Sequence, residues 1–409
     1  MLIVRRTRVR LKDQPEDLIP GGVRFARHAL RLVRRRMANK AAFASKGFVT
    51  HLGVHDPANN AGDTVLFVAL RALFDKTFGP QVWLREAVRK EHSDAFYDHI
   101  NAAGKAIVVG GGGLISIDSR PGSPSGWQWA LRREQIDRLN VPLVLFAIGY
   151  NLFRGQPGLT PAVVDHLAAT IEKSSFVGLR NTGSIEKIKT FLPESSWDKL
   201  AFQPCMTTFL RHYFPGLSPD HTARDTKDLA LNLAFDRREL RYGKDEDAIM
   251  QRVVAAMRHV IAQGWTVHIA HHAWDDDPAV AVFRKSGLPV KIHRLNRSPA
   301  HEVVDFYARM PLTIGVRGHA QMIPFGCGNG IISLVSHEKL GYFLKDIGQP
   351  GWGVDVHDPE LTDRLVHLID DFDRNRDAQR RIITEQQNRL LGITHQNLDR
   401  LRPIFANRA

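Results

Sequence analysis

Arg317-Gly318-His319 places a guanidinium and an imidazole two residues apart inside the segment ARMPLTIGVRGHAQMIPFGCGNGIISLVSHEKLGYFLKDIG, residues 308–348. Leu312 to Val316 has the length and composition of a buried strand, and an apolar helical pattern begins immediately after His319. The pair therefore stands at a strand's carboxyl end. The same position recurs elsewhere: Arg180 closes the strand pattern FVGLR, with Ser184 on the helix after it, and Lys339 opens the helix that follows IISLVSHE. Guanidinium forks match carboxylates and phosphates, and backbone amides at a helix start also favour anions. Cations repeated at this position predict an anion-binding cleft. His319 adds a group that titrates near neutral pH and can give or take a proton there.

Three further groups have two readings each. Gly110 to Gly113 end the strand pattern KAIVV; Gly111, Gly112 and Gly113 serve either a ligand approaching the backbone or a sharp turn, and the run is not a G-x-G-x-x-G fingerprint. Asn60 and Asp63, in NNAGD before a long apolar helix, either cap exposed amides or offer a sugar hydroxyl an acceptor. His268, His271 and His272 in HIAHHAWDDD match no zinc spacing, so His271 and His272 read as polar lining of the cleft and no metal is expected.

Positioning these groups requires strands and helices in alternation, and the chain supplies them twice. KGFVTHLGV, QVWLRE, KAIVVGGGG, VPLVLFAIGYN and SFVGLRN read as strands; helical patterns, among them AGDTVLFVALRALFDKTF and SGWQWALRREQIDRLN, lie between them. A second series runs from DLALNLAFD through WTVHIAHH and VKIHRL to WGVDV. The fold class is α/β, with two doubly wound Rossmann-like domains whose carboxyl strand ends face a shared cleft. The expected boundaries are a basic arm over 1–46, a first domain over 47–211, a polar linker over 212–227, a second domain over 228–356, and helices over 357–409 that cross back.

In order along the chain, NNAGD, GGGGL, GLRNTGS, VRGHAQMIPFGCG and SHEKLGYFLKDIG resemble the polysaccharide pyruvyl transferase family over roughly residues 50–350. Its most specific part is the Arg-x-His followed by an apolar helix, a glycine turn, a strand and a Lys. The resemblance implies a glycosyltransferase-B-like pair of domains, an acceptor side first and a donor side second. It also implies transfer of the pyruvate skeleton from phosphoenolpyruvate to the hydroxyls of a saccharide or lipid-linked saccharide as a ketal. Arg317 and His319, with Arg180 from the facing domain, then lie at the donor site. Cys205 in QPCMTTFL departs from the family pattern. The resemblance implies phosphoenolpyruvate as the donor substrate and no cofactor, since Arg and Lys can neutralise the leaving phosphate. A nucleotide-sugar glycosyltransferase on the same architecture is the alternative, with Glu302 as the carboxylate for ribose; a non-catalytic member of a polysaccharide assembly complex is the other.

The charge of +13 over 409 residues is concentrated at one end. Residues 1–46 carry thirteen Lys or Arg against three acidic residues, a balance of +10. Val23, Ala26, Leu30, Val33 and Met37 recur there at helical spacing, with Arg24, Arg27, Arg31, Arg34 and Arg35 on the other faces. Such a helix either packs on the body through its apolar stripe or lies on an anionic membrane. Nucleic acid is not expected, because no recognition motif or aromatic platform accompanies the charge. Two cysteines and no apolar run of about 18 residues point to the reducing cytoplasm, with peripheral contact at the inner membrane face as the further expectation.

Overall fold

The computed structural model of the chain describes residues 21–54, 60–117, 122–217 and 225–406, with side chains from residue 26 onward. Residues 1–20 of the arm, the side chains of Val23 and Arg24, and residues 218–224 of the expected linker lie outside the described residues.

Two six-stranded parallel sheets organise the molecule. The first has the order β2-β1-β3-β4-β5-β6, from β1 (Phe48–Gly53), β2 (Trp83–Ala87), β3 (Gly104–Ile115), β4 (Leu143–Tyr150), β5 (Phe176–Leu179) and β6 (Leu200–Phe202). The second has the order β12-β11-β10-β7-β8-β9, from β7 (Asp228–Asn232), β8 (Thr266–His271), β9 (Lys291–Arg294), β10 (Leu312–Gly315), β11 (Gly330–Val335) and β12 (Gly353–Asp355). Central strands such as β1 and β10 are buried along their whole length, which is why they read as unbroken apolar runs without alternation. The first order reverses between β1 and β3 and the second between β10 and β7, and the site lies outside the carboxyl ends there.

The domains share a core. Helix Ala61–Phe78 of the first domain packs against helices Ala300–Ala308 and His319–Gly326 of the second, and Met206–His212 closes on the latter. The chain after β12 is helical, as Leu361–Arg374 and Arg376–Phe405, and the last helix returns to the first domain. There Asn397 donates to the Phe202 carbonyl at 2.8 Å and Lys105 donates to the Phe405 carbonyl at 2.9 Å.

Three sequence expectations need correction. SGWQWALRREQIDRLN is helical only over Arg133–Arg138, because Trp127 and Trp129 are drawn into the core and Ser125 binds the carbonyls of both instead of continuing a helix. Strand β6, three residues after a 3-10 turn, was not legible; it pairs with β5 at the sheet's edge. The arm helix, Gly21–Phe43, does pack on the body, but through the face opposite its apolar stripe: His28 and Ala42 are buried while Leu30, Val33 and Met37 are exposed.

Candidate active site

Helix starts from each domain meet the other domain, and glycines make the approach possible. A methyl group on Gly62 would lie 2.5 Å from His319 Cβ and 2.8 Å from its Nδ1; one on Gly183 would lie 2.3 Å from the Tyr342 ring. The glycines of NNAGD and NTGS therefore bring the second domain's imidazole and ring against the first domain's helix starts. Asn60 caps the first of these helices, its Oδ1 accepting from the Gly62 amide at 2.8 Å. That leaves Asp63 without a capping duty. Asn181 caps the second, while Ser184 is fully buried and its hydroxyl accepts from the Tyr150 amide at 3.0 Å. Ser184 and Asn60 thus hold backbone in place, and neither has its side-chain oxygen free for substrate.

The glycine run packs sheet onto helix. A methyl group on Gly110 would meet Leu70 at 2.3 Å, on Gly111 Leu66 at 2.7 Å, and on Gly113 Asn151 at 2.8 Å; only Gly112 is uncrowded. Gly111 and Gly112 have φ of 76° and 101°, and the β3–β4 register shifts after Gly112, so the run makes a bulge that a side chain would strain. Gly113 has a direct consequence for the cleft. It leaves room for Asn151, whose Oδ1 accepts from Lys339 Nζ at 2.8 Å across the domain boundary.

Around this boundary the charges are unequal in their pairing. Arg317, expected as a free fork, is fully engaged: Nε and Nη2 donate to Asp276, the latter at 2.5 Å, and Nη1 lies 3.0 Å from Asp236 Oδ1. Arg241 Nη2 donates to both oxygens of Asp236 at 3.1 Å, which completes an alternating Arg241–Asp236–Arg317–Asp276 network. Burial raises the Asp236 carboxyl, yet Arg317 and Arg241 outweigh it and hold the group well below the usual carboxylate range. Arg180 differs. Its buried guanidinium makes no hydrogen bond or ion pair among the described residues, and its Nε is unpartnered, packed where Gly149 leaves room. Burial lowers its value against the pull of Cys205 and Asp63.

His319 faces Cys205 at 3.8 Å from Nε2 to Sγ. Burial, then Arg180, Lys339 and His272, push its imidazole well below the ordinary value, so the ring is neutral at pH 7. Lys339 is likewise pushed well down, by burial and by Arg180 and Arg241, against the pull of Asp236. Asp63 is raised by burial, an effect only partly opposed by Arg89, Arg317, Lys339 and Arg180. The site holds two destabilised cations, a neutral imidazole and a carboxylate at one boundary. Such a cluster invites an anion.

The histidines after β8 diverge. His271 turns to Asp277 at 3.0 Å and Arg294 at 3.3 Å, away from the cleft, and His268 pairs with Asp228 at 2.8 Å. His272 is buried against the Tyr307 hydroxyl and held down to about 3 by burial, despite Asp276; it faces His319 electrostatically but has no open surface. His271 is thus spent on its own domain, whereas His272, expected with it as cleft lining, stays at the domain boundary, its carbonyl accepting from the Ala61 amide at 3.0 Å. No metal-binding cluster occurs among the described residues. Glu302 pairs with Arg27 at 3.2 Å, on the outer surface.

Sequence reasoning missed Asp236, Asp276, Arg241, Arg89, Asn151 and Phe153. Phe153, from the loop after β4, inserts between the domains, stacking on His337 with ring centroids 4.3 Å apart and standing 5.0 Å beneath Arg241. Two signals were available: Asp236 closes the strand pattern DLALNLAFD, and Asp276 lies in the acidic triplet after His272.

A family model for polysaccharide pyruvyl transferases matches residues 60–328, which is the bulk of the chain and contains every strand end just described except that of β11. The chain belongs to the polysaccharide pyruvyl transferase family. It is accordingly a polysaccharide-modifying transferase. No curated protein is significantly similar in sequence. Among solved structures, a putative UDP-N-acetylglucosamine 2-epimerase from Listeria monocytogenes superposes with a TM-score of 0.52 at 12% identity, covering 89% of this chain and 100% of its own. S. aureus MnaA, solved with UDP, gives 0.50 at 10% identity, covering 87% and 97%. At such identities the likeness concerns the fold, which is GT-B-like, as the family resemblance implied. Among the described residues no helix is long and apolar enough to cross a membrane.

Proposed function

We propose that this pyruvyl transferase uses phosphoenolpyruvate as donor and forms a pyruvate ketal on two hydroxyls of a saccharide acceptor. The observation that carries the reading is the unpaired, buried Arg180 beside Lys339 and a neutral His319, a cation surplus that a carboxylate and a phosphate would together satisfy. Arg317 acts differently from the sequence expectation. Anchored by Asp236 and Asp276, it positions the strand end that presents His319 and does not itself hold the donor.

The chemistry then balances on two protons. Neutral His319 accepts the proton of the attacking hydroxyl and, as imidazolium, supplies one to the donor's methylene carbon, which becomes the methyl group. The hydroxyl oxygen bonds to the adjacent carbon and the carbon–oxygen bond to phosphate breaks. Attack by the second hydroxyl closes the ketal, and its proton leaves with the phosphate as hydrogen phosphate. Arg180 and Lys339 stabilise the charge gathered on the departing oxygen, in a boundary from which Phe153 excludes water.

The test is incubation with phosphoenolpyruvate and a panel of lipid-linked or aryl glycosides, following phosphate release together with mass gain of the acceptor. Both should appear, in equal amounts. A protein stabilised against heat by nucleotide sugars but not by phosphoenolpyruvate, and releasing no phosphate, would overturn the reading.

A further inference from the structure

Four large hydrophobic side chains are exposed among the described residues, and three of them lie on helix Gly21–Phe43: Leu30 at 51%, Val33 at 52% and Met37 at 69%. Their arrangement is ordered. At about 100° per residue, Leu30, Val33 and Met37 fall with Ala26 and Ala41 into one stripe, roughly opposite the face carrying His28, Arg35 and Ala42. That opposite face docks on the protein. His28 and Ala42 are buried, Arg31 donates to the Arg297 carbonyl, and Asn39 accepts from the Arg85 amide at 3.1 Å while donating to Glu86 at 3.2 Å.

The stripe is bordered by cations on both sides. Arg27 and Arg34 lie along one edge, Arg36 and Lys40 along the other; all four are exposed, and the helix contains no acidic residue. Glu302 meets Arg27 at 3.2 Å, an exposed pair that contributes little screening of the rest. A protein partner would be selected by a particular shape. Here an apolar ridge flanked by long basic side chains fits a surface that is apolar beneath and anionic above.

We propose that helix Gly21–Phe43 docks the enzyme onto an anionic lipid bilayer, with Leu30, Val33 and Met37 entering the acyl boundary and the flanking Arg and Lys side chains meeting lipid phosphates. The helix is fixed to both domains, through Arg297 and Glu302 of the second and Arg85 and Glu86 of the first, so docking orients the whole molecule rather than a tether. Arg85 and Glu86 lead directly to Arg89, which donates to Gln128 at 2.7 Å, and Gln128 donates to the Gly113 carbonyl at 2.9 Å beside the cleft. The docked edge therefore adjoins the site's rim, where a membrane-borne saccharide would be met. The docking itself does not depend on the reaction proposed above.

The experiment is sedimentation of the full-length chain with vesicles of phosphatidylcholine alone or mixed with phosphatidylglycerol. Binding is expected only to the mixed vesicles, and it should weaken about tenfold or more as salt rises from about 0.05 M to about 0.5 M and the Debye length contracts. The Leu30→Asp/Val33→Asp/Met37→Asp variant should lose binding at least tenfold at low salt with an unchanged melting temperature, since all three side chains are half exposed or more. Arg34→Glu/Arg36→Glu should do the same by the charge route. Full-length protein that stays in the supernatant with mixed vesicles at low salt overturns the proposal, as does a triple-aspartate variant that sediments like the parent. Light scattering that shows a dimer of the parent and a monomer of the triple variant would assign the stripe to a second copy and equally overturn it.

Discussion

At the residue scale, the decisive contrast is between Arg317 and Arg180. Arg180 follows β5 directly and Arg317 stands two residues past β10, yet Arg317 is ion-paired by two carboxylates and Arg180, among the described residues, by none. Buried cations without partners are costly, and here burial and mutual repulsion hold Lys339 and His319 well below their ordinary values. An arriving anion reverses that repulsion, so both values rise and protons are taken up. Calorimetry of phosphoenolpyruvate binding in buffers of different ionisation enthalpy should accordingly show proton uptake that appears as pH falls below 7, where the occupied site protonates His319 before the empty one does; no uptake down to about pH 5 would mean that the imidazole does not face the donor. His319→Ala should lower turnover by about 10² to 10⁴-fold while leaving donor affinity within a few-fold, because its role is proton transfer. Turnover preserved within a few-fold would remove His319 from the chemistry.

At the element scale, helix starts are the joints of the molecule. Thr182, at the start of helix Thr182–Lys189, donates from both hydroxyl and amide to Asp346, the last residue of helix Glu338–Asp346 in the other domain. Burial raises the Asp346 carboxyl from the ordinary 3.8 to about 6, against the Thr182 hydrogen bonds that favour its charged form. Between those two values the folded chain binds more protons than the unfolded one, so this group makes stability fall as pH rises from about 4 to about 6, and the deficit persists above. Asp346→Asn removes the titration and keeps one acceptor for Thr182. Its melting temperature should exceed the parent's by roughly 1–3 °C at pH 7.5 and match it near pH 4. A parent curve with the same slope as the variant between those pH values would show that Asp346 titrates normally.

For the whole molecule, the returning terminal helix Arg376–Phe405 ties the second domain to the first. Phe405 is completely buried, its ring edge-on to Phe74 at 5.1 Å and stacked with Phe78 at 5.5 Å. Phe405→Ala should cost about 3–5 kcal/mol by cavity formation, measured as a lowered denaturation midpoint. A shift within about 0.5 kcal/mol would mean that the helix's last turn does not hold the domains together.

Apolar runs such as Leu312–Val316 and their alternation with helices depend only on local composition, so the strands other than β6, the cations after β5, β10 and β11 and the capping potential of Asn60 were present in the sequence itself. A strand's length and burial are written in its own residues. Pairing across the chain is not, because it depends on which distant group arrives at a given point in space. Thus Asp276, 41 residues from Arg317, pairs with the guanidinium expected as an anion ligand. Gly113, read as a possible ligand contact, instead gave room to Asn151 and through it to Lys339. The arm's helical period was equally plain, but either of two faces could have been buried. Arg31 and Asn39 found hydrogen-bonding partners on the two domains and His28 was buried beside them, so their face, rather than the apolar one, took the inner position. Tertiary structure settled each of these cases, since a charge, a small residue or a helical face acquires its role only from what stands opposite it.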